Sequence, residues 1–494
     1  MKKLFENKNI FIPISLLLML LIAYLTAGRY FDNDGYWIIS TGKYIVENGI
    51  PKINPFTNVN NLQTIIQQWP WTIFCYEVYT HFGRVGLYIS CLINLLINIV
   101  LIAKLAKLKE SDSKLSVIFS LFMFGICFAF VSVRPTLPTF FLLLSEIYVL
   151  EHYKKTGKKQ SLLFLILISF AEINFHSSLW FMHFVFMLPY IVPPIKNPFV
   201  EFNEDDMKRK PLFLTMIPMF LVGFLNPYGI KGMLYIVYSF GDKLKNAGIL
   251  ELDSFTLKSF YGLLIMFTIV IVLHILNDWK HKEISIEASS FYIFCGTIIM
   301  SIGYIRNLVY FVFGLIIIFI ELISYIDLDK FDKWIENQMK YTCLLGYVCF
   351  IGAISVFGVK ITNELKVDEY HMEGVPTQIV QYLDKNKVDK DTKIYTDFNT
   401  GGYFEFNGYK CFVDARTELF FKKLNKKQEV FDDYLKLNST ADVKKIEKLL
   451  DKYQFEYICT NKDYTLDFYL KTSNKYKLVQ KDKNSDYLLY QKIK

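Results

Sequence analysis

Apolar runs of membrane-crossing length recur along most of this chain, and they limit its fold more than any other feature. They cover Phe11 to Ala27, Leu87 to Ala103, Leu115 to Val133, Leu137 to Leu150, Leu162 to Ile173 and Leu179 to Val192. Five more follow: Leu212 to Leu225, Phe260 to Leu276, Phe291 to Ile305, Val309 to Ile323 and Cys343 to Val359. A bilayer core asks for roughly 20 apolar residues per helix, so the runs predict about eleven spans, the short ones extended, tilted or broken. The composition agrees, with 53% hydrophobic and 17% aromatic residues, as rings that pack into lipid and anchor at its interfaces require. Leu25-Thr26-Ala27 is a poor cleavage pattern, so the first run reads as a signal anchor. The charge-dense, nearly balanced stretch from Lys366 onward has no such runs. The fold class expected is an all-α polytopic membrane domain over residues 1–362, followed by a small α/β soluble domain over 363–494.

Basic residues in the short loops orient the spans. Lys2, Lys3 and Lys8 precede the first, Lys104, Lys107, Lys109 and Lys114 follow the second, and Lys154, Lys155, Lys158 and Lys159 follow the fourth. Lys208, Arg209 and Lys210, then Lys280 and Lys282, then Lys330, Lys333 and Lys340 continue the alternation. This pattern puts the N-terminus in the cytoplasm of an integral plasma-membrane protein, and an odd number of spans puts the C-terminal domain outside. The net charge of +8 belongs to these loops, so no nucleic-acid partner is implied. Of eight cysteines, most lie in apolar runs as small hydrophobes. Cys411 and Cys459 sit in the tail and are placed to pair if it is outside. No spacing indicates zinc or redox chemistry.

With that orientation the outer side gathers the polar residues. It takes Phe31 to Trp37 with Asp32 and Asp34, then Arg134, then Asn174, His176 and Ser177, then Asn226 to Gly229 and Glu251, then Arg306 and Asn307. Ionisable groups at membrane depth are costly and usually face a cavity or a partner, so this convergence predicts an outward-facing site. The first outer loop, residues 28–83, has structure of its own. Asp34 is expected to N-cap a helix through Trp37, Ile38, Ile39, Ile45 and Val46, lying in the interface and stopped by Gly49 and Pro51. A second helix starts at Trp69-Pro70 and ends at Gly83. In the tail, helices are expected over 375–383 and 443–453 and strands over 393–398, 403–406, 410–413, 455–459 and 487–493, with a turn at Gly401-Gly402.

The first loop resembles the GT-C superfamily, multi-pass glycosyltransferases that use polyprenyl-phosphate-linked sugars. One bacterial branch carries D-x-D-x-W-W-H-[IL]-x-T-G, then G-x-P-x-x-D-P-F, then a Trp-containing helix start. Here these read Asp32-Asn33-Asp34-Gly35-Tyr36-Trp37-Ile38-Ile39-Ser40-Thr41-Gly42, Gly49 to Phe56, and Gln68-Trp69. Weaker echoes are Asn174-Phe175-His176, Asn226-Pro227-Tyr228-Gly229, Gly401-Gly402-Tyr403 and Val413-Asp414-Ala415-Arg416. Ile38 departs from the usual His and Asn54 from the usual Asp. The resemblance implies transfer with inversion and an essential aspartate in the first outer loop. It also implies a lipid carrier as donor, with a glycolipid, polymer or protein as acceptor.

Such chemistry needs a carboxylate to take the acceptor's proton and cations to stabilise the departing phosphate. Asp34 is the expected base, with Asp32 as neighbour, alternate base or ligand to a divalent cation such as Mg or Mn. Arg306, Arg134 and Lys231 are candidates for the donor phosphate. His176, Asn174, Glu172, Glu251, Trp37 and Trp69 are candidates for substrate contacts, Glu172 and His176 being spaced to pair on one helical face. Helix capping by Asp34 and snorkelling by Arg134 are the non-catalytic alternatives. Glu146, His183, His274 and Glu321 read as structural, and Asp414 and Arg416 as an internal salt bridge. A transporter or flippase, or a non-catalytic binder of a lipid-linked glycan, is the competing function.

Overall fold

The computed structural model describes residues 10–126, 131–195, 201–203, 206–239, 268, 286–304, 307–323, 342–366, 374–462 and 464–493. Each predicted apolar run forms a helix except Phe260 to Leu276, which falls outside the described residues apart from Thr268. In chain order the main helices are α1 (Phe11–Thr26), α2 (Asn33–Asn48), α3 (Trp69–Leu108), α4 (Ser113–Ile126), α5 (Thr136–Thr156) and α6 (Leu163–Phe175). Then come α7 (Trp180–Ile191), α8 (Arg209–Leu221), α9 (Ala288–Gly303), α10 (Leu308–Ile323) and α11 (Thr342–Lys366). Among the described residues two helices, Trp69–Leu108 and Cys343–Lys366, are long and apolar enough by themselves to cross a membrane. Most of the others run 12 to 16 residues, or about 18–24 Å at the helical rise. Helix α5 has 21 residues, but Glu146, Glu151, Lys154 and Lys155 break its apolar run.

The second helix of the first loop does not stop at Gly83. That glycine takes φ 61°, ψ −157° and kinks one continuous element, α3, so the loop helix and the second apolar run are a single rod. Only a residue without Cβ adopts that conformation cheaply.

The C-terminal part holds α12 (Thr377–Lys385), β1 (Ile394–Tyr395), α13 (Gly401–Phe406), α14 (Val430–Ser439), α15 (Val443–Tyr453), β2 (Tyr457–Asn461), α16 (Thr465–Thr472), β3 (Tyr476–Lys481) and β4 (Tyr487–Lys492). The sheet order is β1-β2-β4-β3, with β1 parallel to β2 and the other pairs antiparallel. Four expectations fail here. The strand from Lys393 shortens to two residues because Asp397 accepts hydrogen bonds from the backbone of Asn399 and Thr400 and turns the chain. Residues 403–406 are helical rather than extended, since Gly401 and Gly402 open α13 against its neighbours. A Cβ on Gly401 would stand 2.0 Å from the Val413 carbonyl oxygen. The segment 410–413 joins the first loop instead of the sheet, bridging at Thr57 and Cys411. Cys411 and Cys459 are separate buried thiols, not a disulfide.

Burial overturns the interfacial reading of α2. Tyr36, Trp37, Ile38, Ile39 and Ile45 are all buried, packed between α3 on one side and α13 on the other. Tyr36 meets Tyr403 edge-on with ring centroids 5.0 Å apart, and Phe406 at 5.4 Å. Each such side chain contributes about 2 kcal/mol on burial, so this face is core except at Val46, which stays exposed. The loop after α2 continues into the C-terminal part. Asn58 N donates to Cys411 O (2.8 Å), Cys411 N to Phe56 O (3.0 Å), and Val59 and Leu62 share a core with Phe412, Leu450 and Ile458.

Candidate active site on the first loop

Asp32, not Asp34, caps α2. Its backbone is extended, and its Oδ1 accepts from Asp34 N at 3.0 Å. An extended residue just before the helix can turn its carboxylate onto the first-turn amides, whereas Asp34 is already helical. Asp34 is thereby released from capping and projects from the first turn of α2. Its Oδ1 accepts from Trp37 Nε1 at 3.0 Å, and its Oδ2 lies 2.9 Å from Arg134 Nη2.

Arg134 joins the two aspartates. Its Nη2 is 2.7 Å and its Nε 2.9 Å from Asp32 Oδ2, a two-point contact that fixes the guanidinium plane. Arg134 stands just before α5, and Val133 N donates to Tyr30 O at 2.9 Å, seating that segment beside the entry to α2. The three side chains remain 37% (Asp32), 22% (Asp34) and 31% (Arg134) exposed, so solvent and a substrate reach them. Burial pushes the Asp32 carboxyl above the usual carboxylate range, and Arg134 pulls against that rise. The set gathers two carboxyl groups around one guanidinium.

A second group lies along the same helix end. The Thr139 hydroxyl in α5 donates to Glu172 Oε1 (2.7 Å) and lies 3.0 Å from His176 Nδ1. Glu172 and His176 therefore meet through Thr139. With the hydroxyl proton given to Glu172, His176 must present Nδ1–H to Thr139. Asn174 is a latch, accepting from Trp69 Nε1 (3.0 Å) and donating to Phe170 O and Leu225 O. Beneath them His183 bonds Glu146 through Nδ1 and holds Nε2 3.7 Å from Glu172 Oε2, all three fully buried. Glu146 and His183 are thus partners in one cluster.

Lys231 is exposed in the one-turn helix Ile230–Met233, beside Tyr228, whose hydroxyl donates to Pro51 O of the first loop (2.9 Å). Arg306, Glu251 and His274 lie outside the described residues. Ile38 is core, and Asn54 shapes a buried turn by accepting from Phe56 N. At the other end of α5, Lys109 is enclosed by Glu151, Glu287 and Glu321. A cavity of about 560 Å³ opens there among Lys154, Lys155, Lys159 and Lys208. It is separated from Arg134 by the length of α5, about 30 Å, and is no part of this site.

Sequence reasoning missed Thr139, which carries no motif, and the reach of Arg416. The expected Asp414–Arg416 salt bridge is present, with Nη2 2.6 Å from Asp414 Oδ2 and 2.7 Å from Glu405 Oε1. The Arg416 guanidinium also covers the Trp37 ring at 5.2 Å and the Phe56 ring at 5.3 Å. Glu405, Cys411 and Asp414 come close enough to share a metal ion. However, Arg416 already fills the position between the two carboxylates, so this donor set does not fit a cation.

No protein-family model and no curated protein matches the chain. Its fold does match solved structures of the oligosaccharyltransferase of Archaeoglobus fulgidus. The form tethered to an acceptor peptide containing the NVT sequon aligns with TM-score 0.58 at 11% identity, over 98% of this chain and 74% of that one. The apo form gives 0.55 at 10% identity over 91% and 69%, and the complex with Zn and sulfate 0.54 at 11% over 95% and 73%. The chain therefore shares the fold of that oligosaccharyltransferase along nearly its whole length.

Proposed function

We propose that this chain is a membrane glycosyltransferase that moves a sugar from a polyprenyl-phosphate-linked donor to an extracytoplasmic acceptor with inversion. The observation that carries the reading is the half-exposed Asp32–Asp34–Arg134 cluster, built at the first loop of an oligosaccharyltransferase-like fold. Asp34 takes the proton as the acceptor attacks the anomeric carbon, while the bond to phosphate breaks and its electron pair leaves with the phosphate. Each carboxylate oxygen offers two lone pairs, so the bonds from Trp37 and Arg134 leave Asp34 able to accept. Arg134 balances the aspartates, and Lys231 and Arg306 are assigned to the donor phosphate. A divalent cation at Asp32 and Asp34 would have to displace Arg134, so the guanidinium is the cation this arrangement favours.

The first-loop signature supports the bacterial branch of the superfamily, and the apolar helices support about eleven spans with the C-terminal part outside. The solved neighbour carries an acceptor peptide, so peptides belong among the acceptors to assay beside glycolipids and envelope polymers. One observation favours the transport reading instead. Glu146, His183 and Glu172 form a buried ionisable cluster of the kind that ion pathways use.

The test is sugar transfer by purified, reconstituted protein supplied with labelled polyprenyl-phosphate sugars and a membrane extract. Transfer by wild type, lost 10²–10⁴-fold in Asp34→Asn with the fold intact, supports the reading. Donor movement across the bilayer without turnover would replace it with transport.

A further inference from the structure

We propose that Arg416 is a positioning residue that holds Asp34 in place through Trp37, coupling the C-terminal part to the transfer site. This rests on the glycosyltransferase reading of Asp34.

The geometry forms one continuous chain of contacts. Arg416 is gripped from its own side by Asp414, through Nε (3.0 Å) and Nη2 (2.6 Å), and by Glu405 (2.7 Å). With three charge-assisted bonds and both carboxylates buried, the guanidinium has no rotational freedom left. Burial pushes Glu405 well above the usual carboxylate range, while Arg416 holds Asp414 below it. These opposite directions leave Asp414 as the main charge partner of the buried guanidinium.

The guanidinium then lies between two first-loop rings, Trp37 at 5.2 Å and Phe56 at 5.3 Å, both within cation–π range. Trp37 cannot turn away, because α13 is packed against the same stretch of α2. A Cβ on Gly402 would stand 3.0 Å from Asn33 O and 3.4 Å from Trp37 Cβ. The indole N–H in turn donates to Asp34 Oδ1 at 3.0 Å, while Arg134 holds the other oxygen. Asp34 is thus fixed at two points, one through α5 and one through the C-terminal part. A base displaced by about 1 Å loses much of its rate.

The experiment is a mutant cycle in the full-length reconstituted protein with Arg416→Gln, Arg416→Lys, Trp37→Phe and the double variant Arg416→Gln/Trp37→Phe. Two readouts are used: transfer of labelled polyprenyl-phosphate sugar, and hydrogen exchange of the Trp37 indole N–H, assigned by its disappearance in Trp37→Phe. Arg416→Gln is expected to lower kcat about 10-fold with donor KM unchanged and to speed the indole exchange at least as much. Arg416→Lys recovers part of both, and the double variant is no slower than Trp37→Phe alone. Multiplying kcat losses, or a loss confined to KM, would overturn the proposal. If wild type transfers no sugar, the exchange readout still decides: a response to Arg416→Gln keeps the positioning contact and discards the glycosyltransferase reading. Unchanged exchange discards the proposal whatever the activity. Should Arg416→Gln fail to fold, Phe56→Leu, which removes the opposite ring, replaces it with the same expected directions.

Discussion

Replacing Gly42 with Ala tests whether α2 is packed as tightly against α3 as its place between two parts of the molecule requires. A Cβ at residue 42 would stand 2.0 Å from the Thr72 carbonyl oxygen, 2.6 Å from its carbon and 2.7 Å from Tyr76 Cβ. Ordinary contact begins at 3.4 Å, so the helices must separate locally by 3.4 − 2.0 = 1.4 Å. No side-chain rotation relieves this, because the clash is with backbone. Overpacking of a rigid core costs about 1–3 kcal/mol, occasionally more, and a backbone obstacle puts this site at the upper end, about 3 kcal/mol. The same shift moves Asp34, two turns earlier on α2, relative to Arg134 on the far side. Heat-induced unfolding in detergent, followed by the aromatic signal, should show a midpoint lower by several degrees. Sugar transfer should fall at least tenfold at temperatures where the variant is still folded. By contrast Gly49→Ala, at φ +81°, ψ −179° with open space around it, carries backbone strain of about 1–3 kcal/mol but leaves the packing of α2 on α3, and so the activity, unchanged. A Gly42→Ala protein with an unchanged midpoint and full activity would refute the packing of α2 and the site built on it.

Further outcomes follow from the charges. Burial raises Asp32 and Arg134 opposes that rise, so if transfer needs Asp32 ionised, its acid limb lies above the ordinary aspartate range. Arg134→Gln should move that limb to still higher pH, and a limb that stays put or moves down would contradict the pairing. In the Arg416 group, Glu405→Gln should cost less thermal stability than Asp414→Asn, because burial pushes the Glu405 carboxyl upward and the amide keeps an oxygen for Arg416. Asp414→Asn should cost about 3–5 kcal/mol by leaving a buried guanidinium uncompensated. Since Asp414 sits below its unfolded range, its contribution is present above that range and is lost as pH falls through it; equal midpoint losses in the two variants would reverse the assignment. With Arg134 as the cation between Asp32 and Asp34, transfer should survive prolonged chelation with EDTA. Loss of activity restored by Mg or Mn would show that a divalent ion displaces it.

Much of this molecule is set by short stretches of sequence acting alone. An apolar run long enough to form helix does so wherever it lies, because backbone hydrogen bonds close within four residues. That is why each run from Phe11 to Val359 apart from Phe260 to Leu276 contains a described helix. The same locality holds for α15, whose 443–453 pattern has one wet face and one dry face. The aspartate motif likewise marked the first loop, since its residues are consecutive in the chain.

Tertiary structure decided what those stretches touch. Whether Asp32 or Asp34 caps α2 depends on one residue's backbone angles, and the sequence pattern is the same for both. The apolar side of α2 fits lipid or protein equally well by composition. Only α3 and α13, distant in sequence, make it core. Residues 403–406, aromatic-rich and read as a strand after a Gly401-Gly402 turn, coil as a helix, because the two glycines meet Val413 and Asn33 there. Thr139 joins Glu172 to His176, and Arg416 reaches Trp37 across 379 positions of sequence (416 − 37). No local propensity encodes such contacts, because they form only when separate elements share one core.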